Sequence, residues 1–329
     1  MTLRRRQFLN LAAGVIALPA MSVAARAQAF PSHPITMIVP VSAGGAMDTL
    51  ARIVAQGVSA SLGQPVIIEN VTGASGAIGV GRVARAAPDG YILSYGAFAT
   101  HVVSAATMTL PYDVIADFEP VALISATPWL IAAKKDLPAN DLKGLIAWLK
   151  ANPDKASLGT AGVGSPSHIG AVLLQNITGT RFQLVPYRGT APVIPDLVSG
   201  QIDMSILDPV TCLPQFRAGA IKVFAVMAKN RTANAPEVPT VDDAGAPGLY
   251  MAPWQAIWAP KGTPKDIVGK LNAAVVNALA DATVRQRFAD IGQEVWPRDQ
   301  QTPEALAAHH RAETEKWWPI IRASNLKAE

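Results

Sequence analysis

Short apolar strands alternate with amphipathic helices along most of the chain, and this alternation restricts the fold more than any other feature. Residues 35–39 read as a buried strand, and apolar residues recur at helical spacing in residues 47–62. Strands are predicted next at 66–69, 91–95, 157–160, 183–186, 204–207, 223–228 and 255–259, and helices at 76–86, 141–150, 168–178, 191–199, 264–280 and 303–321. Such a chain is expected to form an α/β protein whose parallel strands are covered by helices on both faces.

Residues 1–29 are predicted to be a secretory signal peptide. Three arginines at positions 4–6 precede the apolar segment 11–20 and then Ala27-Gln28-Ala29, which is the order typical of such peptides. The apolar segment is shorter than the roughly 20 residues of a membrane-spanning helix, which disfavours a permanent anchor. Residues 5–9 also resemble a twin-arginine signal, so the Sec and twin-arginine routes both remain open. We expect cleavage after Ala29 and a periplasmic location.

The charge balance argues against nucleic acid as a partner. The full chain of 329 residues has 28 basic and 24 acidic residues and a formal net charge of +4. Four of its arginines lie in residues 1–29, which contain no acidic residue, so the mature chain carries 24 residues of each sign. A neutral chain lacks the basic excess that binding to a phosphate backbone requires.

The cysteine and histidine residues do not form a recognisable metal motif. Cys212 is the only cysteine, so an intramolecular disulfide and a cysteine-based zinc site are excluded, and we expect it to be a buried apolar residue. The five histidines show no H-E-x-x-H spacing. No metal and no cofactor are predicted.

The first candidate binding loop is Ser42-Ala43-Gly44-Gly45, between the strand at 35–39 and the helix at 47–62. In an open α/β sheet, ligands bind beyond the carboxyl ends of the strands, where loops enter helices. The two glycines let the backbone approach a ligand, and a helix N-terminus favours an anion such as carboxylate. Asp48 either satisfies N–H groups at the helix start or accepts a hydrogen bond from a ligand, and the first role is favoured.

A second loop of the same type spans residues 159–168. Its Gly162-x-Gly164 pattern lacks the third glycine of the dinucleotide fingerprint and the Gly-Lys ending of a P-loop, so nucleotide binding is not expected. Ser165 and His168 have the residue types of a nucleophile and its base. However, no G-x-S-x-G motif supports a hydrolase, and a hydrogen-bonded histidine at the helix start is favoured.

A third segment, residues 185–192, again places glycine before a helix. Thr190 has two equally favoured roles, capping that helix or donating its hydroxyl to a ligand. Arg188 has the charge to pair with an anionic ligand, but an ordinary salt bridge is favoured.

Taken together, these segments resemble the Bug family, the extracytoplasmic solute receptors of tripartite tricarboxylate transporters. The resemblance runs from about Pro34 to Trp317, and it rests on the order and spacing of several motifs rather than on any single one. In this sequence they are VPVSAGGAMDTLAR, EN followed by GASG, VARAAPDGYIL, His101, LPYDVIADFEPVALI, GTAGVGSPSHIG, PYRGTAPVIPDLVSGQID and APKGTP.

The resemblance implies a type II periplasmic-binding-protein fold, in which two α/β lobes enclose a ligand cleft and are joined by two crossover segments. The crossovers are expected near residues 125–132 and 249–256. Domain 1 would then comprise residues 30–129 and 251–329, and domain 2 residues 130–250.

The resemblance also implies which residues bind the ligand. The loops 42–45 and 160–165 are expected to hold a carboxylate from opposite lobes. The predicted ligand-binding residues are Ser42, Ala43, Gly44, Gly45, Asp48, Ala97, Thr160, Gly164, Ser165, Thr190 and Asp208. Phe98, Met204 and Trp254 are possible cleft residues, but a core position is favoured for each.

The leading hypothesis is a monomeric periplasmic solute-binding protein, not an enzyme, that captures a small organic acid or acidic amino acid for membrane permease subunits. One alternative is an exported hydrolase that uses Ser165 and His168. A second alternative is a ligand-sensing partner of a membrane sensor protein with the same fold.

Overall fold

The computed structural model describes residues 30–323, and the predicted signal peptide at 1–29 lies outside them. The strands within this range are β1 Ile35–Val39, β2 Val66–Asn70, β3 Ile92–Ala97, β4 Phe118–Ala126, β5 Leu130–Lys134, β6 Ser157–Thr160, β7 Gln183–Pro186, β8 Met204–Leu207, β9 Ile221–Val226, β10 Trp254–Pro260 and β11 Glu294–Val295.

The helices in the same range are α1 Ala46–Leu62, α2 Ala77–Ala84, α3 Ser104–Thr107, α4 Leu142–Ala151, α5 Pro166–Thr178, α6 Val193–Ser199, α7 Pro209–Arg217, α8 Lys265–Ala280, α9 Ala282–Asp290 and α10 Pro303–Ala323. Short 3-10 turns lie at Ala74–Gly76 and Arg298–Gln300, and a π-helical turn at Ala99–Val103 leads directly into α3. No single helix described here is long and apolar enough to cross a membrane; α8 and α9, bent by 72°, pass that test only as a pair.

The strands form two mixed sheets. The first has the order β11-β4-β10-β3-β1-β2, and the second has the order β7-β6-β8-β5-β9. As predicted, β1 runs parallel to β2 and β3, and β6 runs parallel to β7 and β8. Each sheet also contains antiparallel pairs, because β10 is antiparallel to β3 and β4, and β5 is antiparallel to β8 and β9. In each sheet the parallel strands point their carboxyl ends toward one edge.

Two connections carry the chain between the sheets, and they lie side by side. The first joins β4 to β5 through residues 127–129, and the second joins β9 to β10 through residues 227–253. Backbone hydrogen bonds tie them together, from Thr127 N to Pro253 O at 2.9 Å and from Trp129 N to Met251 O at 3.0 Å. Met227 N also donates to Trp129 O at 2.8 Å. The paired connections form a hydrogen-bonded boundary between the two sheets.

The core beside the first sheet is built around tryptophan. Trp254, Trp258 and Trp317 are at most 1% exposed. The ring of buried His101 stacks on Trp258, with ring centroids 3.8 Å apart and an angle of 7° between the planes. Helix α10 binds the π-helical turn, because the Trp318 indole N–H donates to Val102 O at 3.0 Å. This packing anchors the turn that follows β3.

Several residues that the sequence left open are core residues. Phe98, Met204 and Trp254 are buried, as is the thiol of Cys212. Burial raises the pKa of Cys212 to about 12, so this thiol stays protonated. Residues 33–323 belong to one compact unit. The Phe30–Pro31 peptide bond, which lies outside that unit, is cis.

Candidate functional site

One cavity of about 490 Å³ opens between loops of the two sheets. The first sheet contributes three segments to the lining: the loop after β1 (Pro40–Ser42), the turn after β2 (Thr72, Gly73, Ser75 and Gly76) and the helical segment after β3 (Ala99, Thr100, Val103, Ser104 and Thr107). The second sheet contributes residues 163–166 after β6. All four segments follow the carboxyl end of a parallel strand, which is where open α/β sheets bind their ligands. The volume lies in the range of small-molecule sites.

The lining of the cavity is uncharged but offers backbone donors. None of its residues is Asp, Glu, Lys, Arg or His. The amides of Ser42, Ser75, Val163 and Gly164 donate to no acceptor within residues 30–323. Free N–H groups in several loops around one cavity are suited to the oxygens of an anion, which they can bind without a cationic side chain. Since the remaining surface is largely aliphatic, the cavity fits a small acid with a short carbon skeleton.

Asp48 stabilises the loop Ser42–Gly45 through hydrogen bonds from its buried carboxylate. Its carboxylate accepts hydrogen bonds from Gly44 N at 2.8 Å, Arg52 Nε at 3.0 Å and Asn70 Nδ2 at 2.9 Å. The bond from Arg52 is the main reason that the pKa of Asp48 falls to about 2. Because Gly44 precedes α1, Asp48 fixes the loop rather than the first amides of the helix, and α1 has no side-chain cap. The favoured prediction, that Asp48 satisfies N–H groups at the helix start, is therefore wrong for the helix amides, because the backbone amide that it accepts from belongs to Gly44 in the loop.

Ser165 organises the second loop. It is the N-cap of α5, and its Oγ accepts from His168 N at 3.3 Å and donates to Gly162 O at 2.6 Å. Ser167 Oγ lies 3.0 Å from Ser165 Oγ and accepts from Ala161 N at 2.8 Å. These bonds bring the free amides at Val163 and Gly164 to the cavity wall.

The pair Ser165 and His168 is not arranged for nucleophilic catalysis. Within the part of the chain that the structure describes, no hydrogen bond joins the His168 ring to Ser165 Oγ, and the buried Nδ1 of His168 has no partner. Burial lowers the pKa of His168. His168 lies at the helix start, as the sequence favoured, but its hydrogen bond to Ser165 comes from the backbone amide and not from the ring.

Three of the predicted ligand-binding residues, Ser42, Gly164 and Ser165, line the same cavity. Ala43, Gly44 and Gly45 are exposed in the loop beside Ser42. Thr160 is fully buried at the end of β6, and its hydroxyl has no partner among the described residues.

The other predicted residues do not line the cavity. Ala97 ends β3, and its amide donates to Thr100 Oγ1 at 3.0 Å. Asp208 is the N-cap of α7 and accepts a hydrogen bond from Thr211 N at 2.9 Å. The capping role considered for Thr190 is wrong, because α6 is capped at Pro192 without a side-chain bond. The salt bridge favoured for Arg188 is also not found within residues 30–323.

Sequence reasoning missed two walls of the cavity. One is the turn after β2, where Gly73 and Gly76 flank a strand-to-helix connection of the same kind as the two predicted loops. The other is the helical segment after β3, where Thr100, Ser104 and Thr107 recur at the spacing of one helix face and line the cavity. Glycine signals the first wall in the sequence, whereas only this hydroxyl spacing signals the second.

His101 supports the second wall from behind. Its Nδ1 lies 3.0 Å from Thr100 Oγ1, and its backbone carbonyl is bonded by His310 Nε2 at 2.9 Å. Burial holds the pKa of His101 well below its usual value, so the ring is neutral and adds no charge to the site. The described residues contain no group of three or more His, Cys, Asp and Glu side chains that could hold a metal ion.

A family model described as the tripartite tricarboxylate transporter family receptor matches residues 50–326. The chain belongs to this receptor family. Two relatives of this receptor are similar over most of their length. The UPF0065 protein in the TAR-I ttuE-ttuC' intergenic region of Agrobacterium vitis is 40% identical over 299 residues, 91% of this chain and 86% of the relative. BugT of Bordetella pertussis is 32% identical over 314 residues, 95% of each chain.

Solved structures of similar chains share the receptor fold. MatC of Rhodopseudomonas palustris with bound malate is 38% identical, with a TM-score of 0.71, covering 89% of this chain and 100% of that one. The periplasmic binding protein BugD is 34% identical, with a TM-score of 0.71 and coverages of 91% and 100%. R. palustris Rpa4515 with adipate is 31% identical, with a TM-score of 0.72 and coverages of 91% and 99%. The predicted Bug-family membership and periplasmic-binding-protein fold are confirmed.

Proposed function

We propose that this receptor captures a small carboxylate in the cavity between its two sheets and delivers it to the membrane permease subunits of a tripartite tricarboxylate transporter. The observation that carries the proposal is the meeting of Ser42 with Gly164 and Ser165 at one uncharged cavity. The malate and adipate bound by two similar chains support the same class of ligand. The ligand is a small organic acid or acidic amino acid, and the receptor acts as a monomer.

The free amides account for the affinity that such a receptor needs. A dissociation constant in the micromolar range corresponds to about 8 kcal/mol. A hydrogen bond to a charged group contributes roughly 1.5–3 kcal/mol, so four or five amide bonds to carboxylate oxygens reach that value after the cost of closing the cleft. Preformed donors of this kind make a buried arginine unnecessary.

The two sheets correspond to the two domains of the proposal, residues 30–129 with 251–329 and residues 130–250. The bonded connections at 127–129 and 251–253 support a hinge at this boundary. A ligand held by amides from both sheets has more contacts when the cleft is closed, and it therefore favours the closed state. Closure is the event that a permease can recognise.

We also propose that the receptor is exported by the Sec or twin-arginine route and cleaved after Ala29. The periplasmic location of BugD supports this placement. The receptor binds its ligand without converting it, in keeping with the capping role of Ser165 and with the uncharged cavity.

Isothermal titration calorimetry on residues 30–329 tests the proposal. The protein is first unfolded and refolded to remove any carried-over ligand, and is then titrated with malate, succinate, glutarate, adipate, aspartate and glutamate. Saturable one-to-one binding of at least one acid is expected, and no binding across the panel would refute the proposal.

Two glycines near opposite ends of α5 provide a matched pair of variants. Gly164 and Gly179 both have positive φ, 75° and 64°, and a Cβ would meet no atom within 4 Å at either position. Gly164→Ala and Gly179→Ala therefore carry similar backbone strain, but only Gly164 lines the cavity. Gly164→Ala should weaken binding about tenfold, whereas Gly179→Ala should leave it unchanged.

A further inference from the structure

The turn after β2 has a backbone that its sequence does not favour. Four successive residues have positive φ: Gly73 at 114°, Ala74 at 46°, Ser75 at 52° and Gly76 at 91°. Ala74 and Ser75 carry side chains, and such residues adopt this conformation only when the surrounding structure enforces it. The contacts around the turn therefore determine its shape.

Two neighbours hold the turn in place. Ser104 Oγ, on the helical segment after β3, lies 3.2 Å from Ser75 O and 3.0 Å from Ala99 O. Gly76 is wedged so tightly that a Cβ would lie 2.8 Å from Thr100 Cγ2 and 3.2 Å from Pro40 Cβ. The turn is thus fixed between the loop after β1 and the wall after β3.

The fixed turn presents a donor to the cavity. Ser75 lines the cavity and is exposed, and its amide donates to no acceptor among the described residues. Residues 42 and 163–165 contact the same cavity from other loops. Ser75 therefore shares one cavity with the loops that are proposed to hold the carboxylate.

We propose that the turn Gly73–Gly76 is a third ligand-contacting arm, which reads the part of the acid beyond its first carboxylate, and that Ser104 is the positioning residue that sets this arm. This inference rests on the proposed function. The Ser75 amide donates to the ligand. The Ser104 hydroxyl donates to the Ser75 carbonyl and thereby holds the turn in the conformation that binds the ligand. The arm accordingly decides which chain length of acid the receptor prefers.

The test compares Ser104→Ala with wild type by calorimetry on refolded residues 30–329, with succinate, glutarate, adipate and malate as probes. We expect about tenfold weaker binding of the preferred acid and at least a threefold change in the ratio of the dissociation constants for succinate and adipate. The change in ratio separates the proposal from a purely structural loss, which weakens all four acids by the same factor.

Ser59→Ala is the matched control. Ser59 Oγ also donates to a helix carbonyl, Ala55 O at 2.7 Å, and braces a neighbouring segment by accepting from Val66 N at 2.8 Å. It lies on α1, away from the residues that line the cavity. Both variants should lower the thermal midpoint by a similar few degrees, while Ser59→Ala keeps the affinities and their ratio.

The outcomes separate the two proposals. If Ser104→Ala binds all four acids as wild type does, or loses affinity for them uniformly, the arm does not read chain length and the inference is wrong while the proposed function stands. If the wild type binds none of these acids or the acidic amino acids, the proposed function fails and the inference fails with it.

Discussion

Asp48 shows how one buried residue can shape a binding loop that it does not enter. Its side chain is almost fully buried and accepts from the loop amide at Gly44, from Arg52 and from Asn70. Hydrogen bonds to a charged group contribute roughly 1.5–3 kcal/mol. The conformation of residues 42–45 therefore depends on this carboxylate staying ionised.

Asp48→Asn should lower the free energy of unfolding by about 2 kcal/mol near neutral pH, because an amide cannot accept from all three donors. The pKa of Asp48 is about 2 in the folded chain against an ordinary value of 3.8. The stabilisation is therefore complete above about pH 4 and is lost as the pH falls toward 2. Urea unfolding at neutral pH and at about pH 3 should show a smaller difference between variant and wild type at the lower pH.

Asp243→Asn is the control for this measurement. Asp243 pairs with Arg231 at 3.0 Å, but both side chains are about half exposed. Exposed ion pairs contribute at most about 1 kcal/mol. If Asp243→Asn lowers the free energy of unfolding as much as Asp48→Asn does, burial is not the reason that Asp48 stabilises the fold.

At the level of elements, helix capping and ligand binding coincide at the start of α5 and can be separated experimentally. Ser165→Ala and Asp141→Ala each remove the N-cap of a helix, that of α5 and that of α4. Each should cost about 1 kcal/mol of stability. Only Ser165→Ala should also weaken binding of the preferred acid, because only Ser165 lines the cavity. Chemical denaturation and calorimetry on the same two variants test this. If Ser165→Ala and Asp141→Ala bind the preferred acid with the same affinity, Ser165 caps α5 without contributing to binding.

The sequence predicted those elements whose apolar pattern is regular. Strands β1, β6, β7 and β8 begin and end at the predicted residues, because each is a short apolar run between clear breaks. Strand β4 was missed, since Pro120 interrupts its pattern, and α7 was missed because Pro209 and Pro214 lie within nine residues. Helix α9 buries only Val284 and Phe288, which is too sparse a pattern to indicate a helix.

The site was predictable where backbone geometry demands glycine. Gly44 and Gly164 both have positive φ, and each marks a loop that reaches the cavity. The wall formed by Thr100 and Ser104 was signalled only by the spacing of its hydroxyl side chains, because a π-helical turn has no distinctive composition and its placement depends on the stacking of His101 on Trp258.

On the scale of the whole molecule, a cluster of buried and half-buried histidines should make the free energy of unfolding depend on pH. His309 and His310 on α10 have pKa values lowered to about 4, chiefly by burial, and the pKa of His101 is lowered as well. These rings are neutral when folded but bind protons below about pH 6.5 when unfolded. The contribution of His309 and His310 to the free energy of unfolding should therefore fall from about pH 6.5 to pH 4 and level off below that.

His310→Gln removes one of the rings that bind a proton on unfolding. The glutamine amide N–H can still donate to His101 O, which His310 Nε2 contacts at 2.9 Å. The dependence of the unfolding free energy on pH, measured by urea titration, should become shallower by up to about 1.4 kcal/mol per pH unit between pH 5 and 6. An unaltered slope for His310→Gln would show that the cluster does not control the acid response.

The paired connections between the sheets limit the number of ways in which the molecule can open. Because residues 127–129 are hydrogen-bonded to residues 251–253, sliding one sheet past the other would break those bonds, whereas rotation about an axis along the paired segment preserves them. Under the proposed function, capture and release therefore share a single degree of freedom. A permease that presses on either sheet, however far from the bound acid, would change the same angle and thereby expel the cargo.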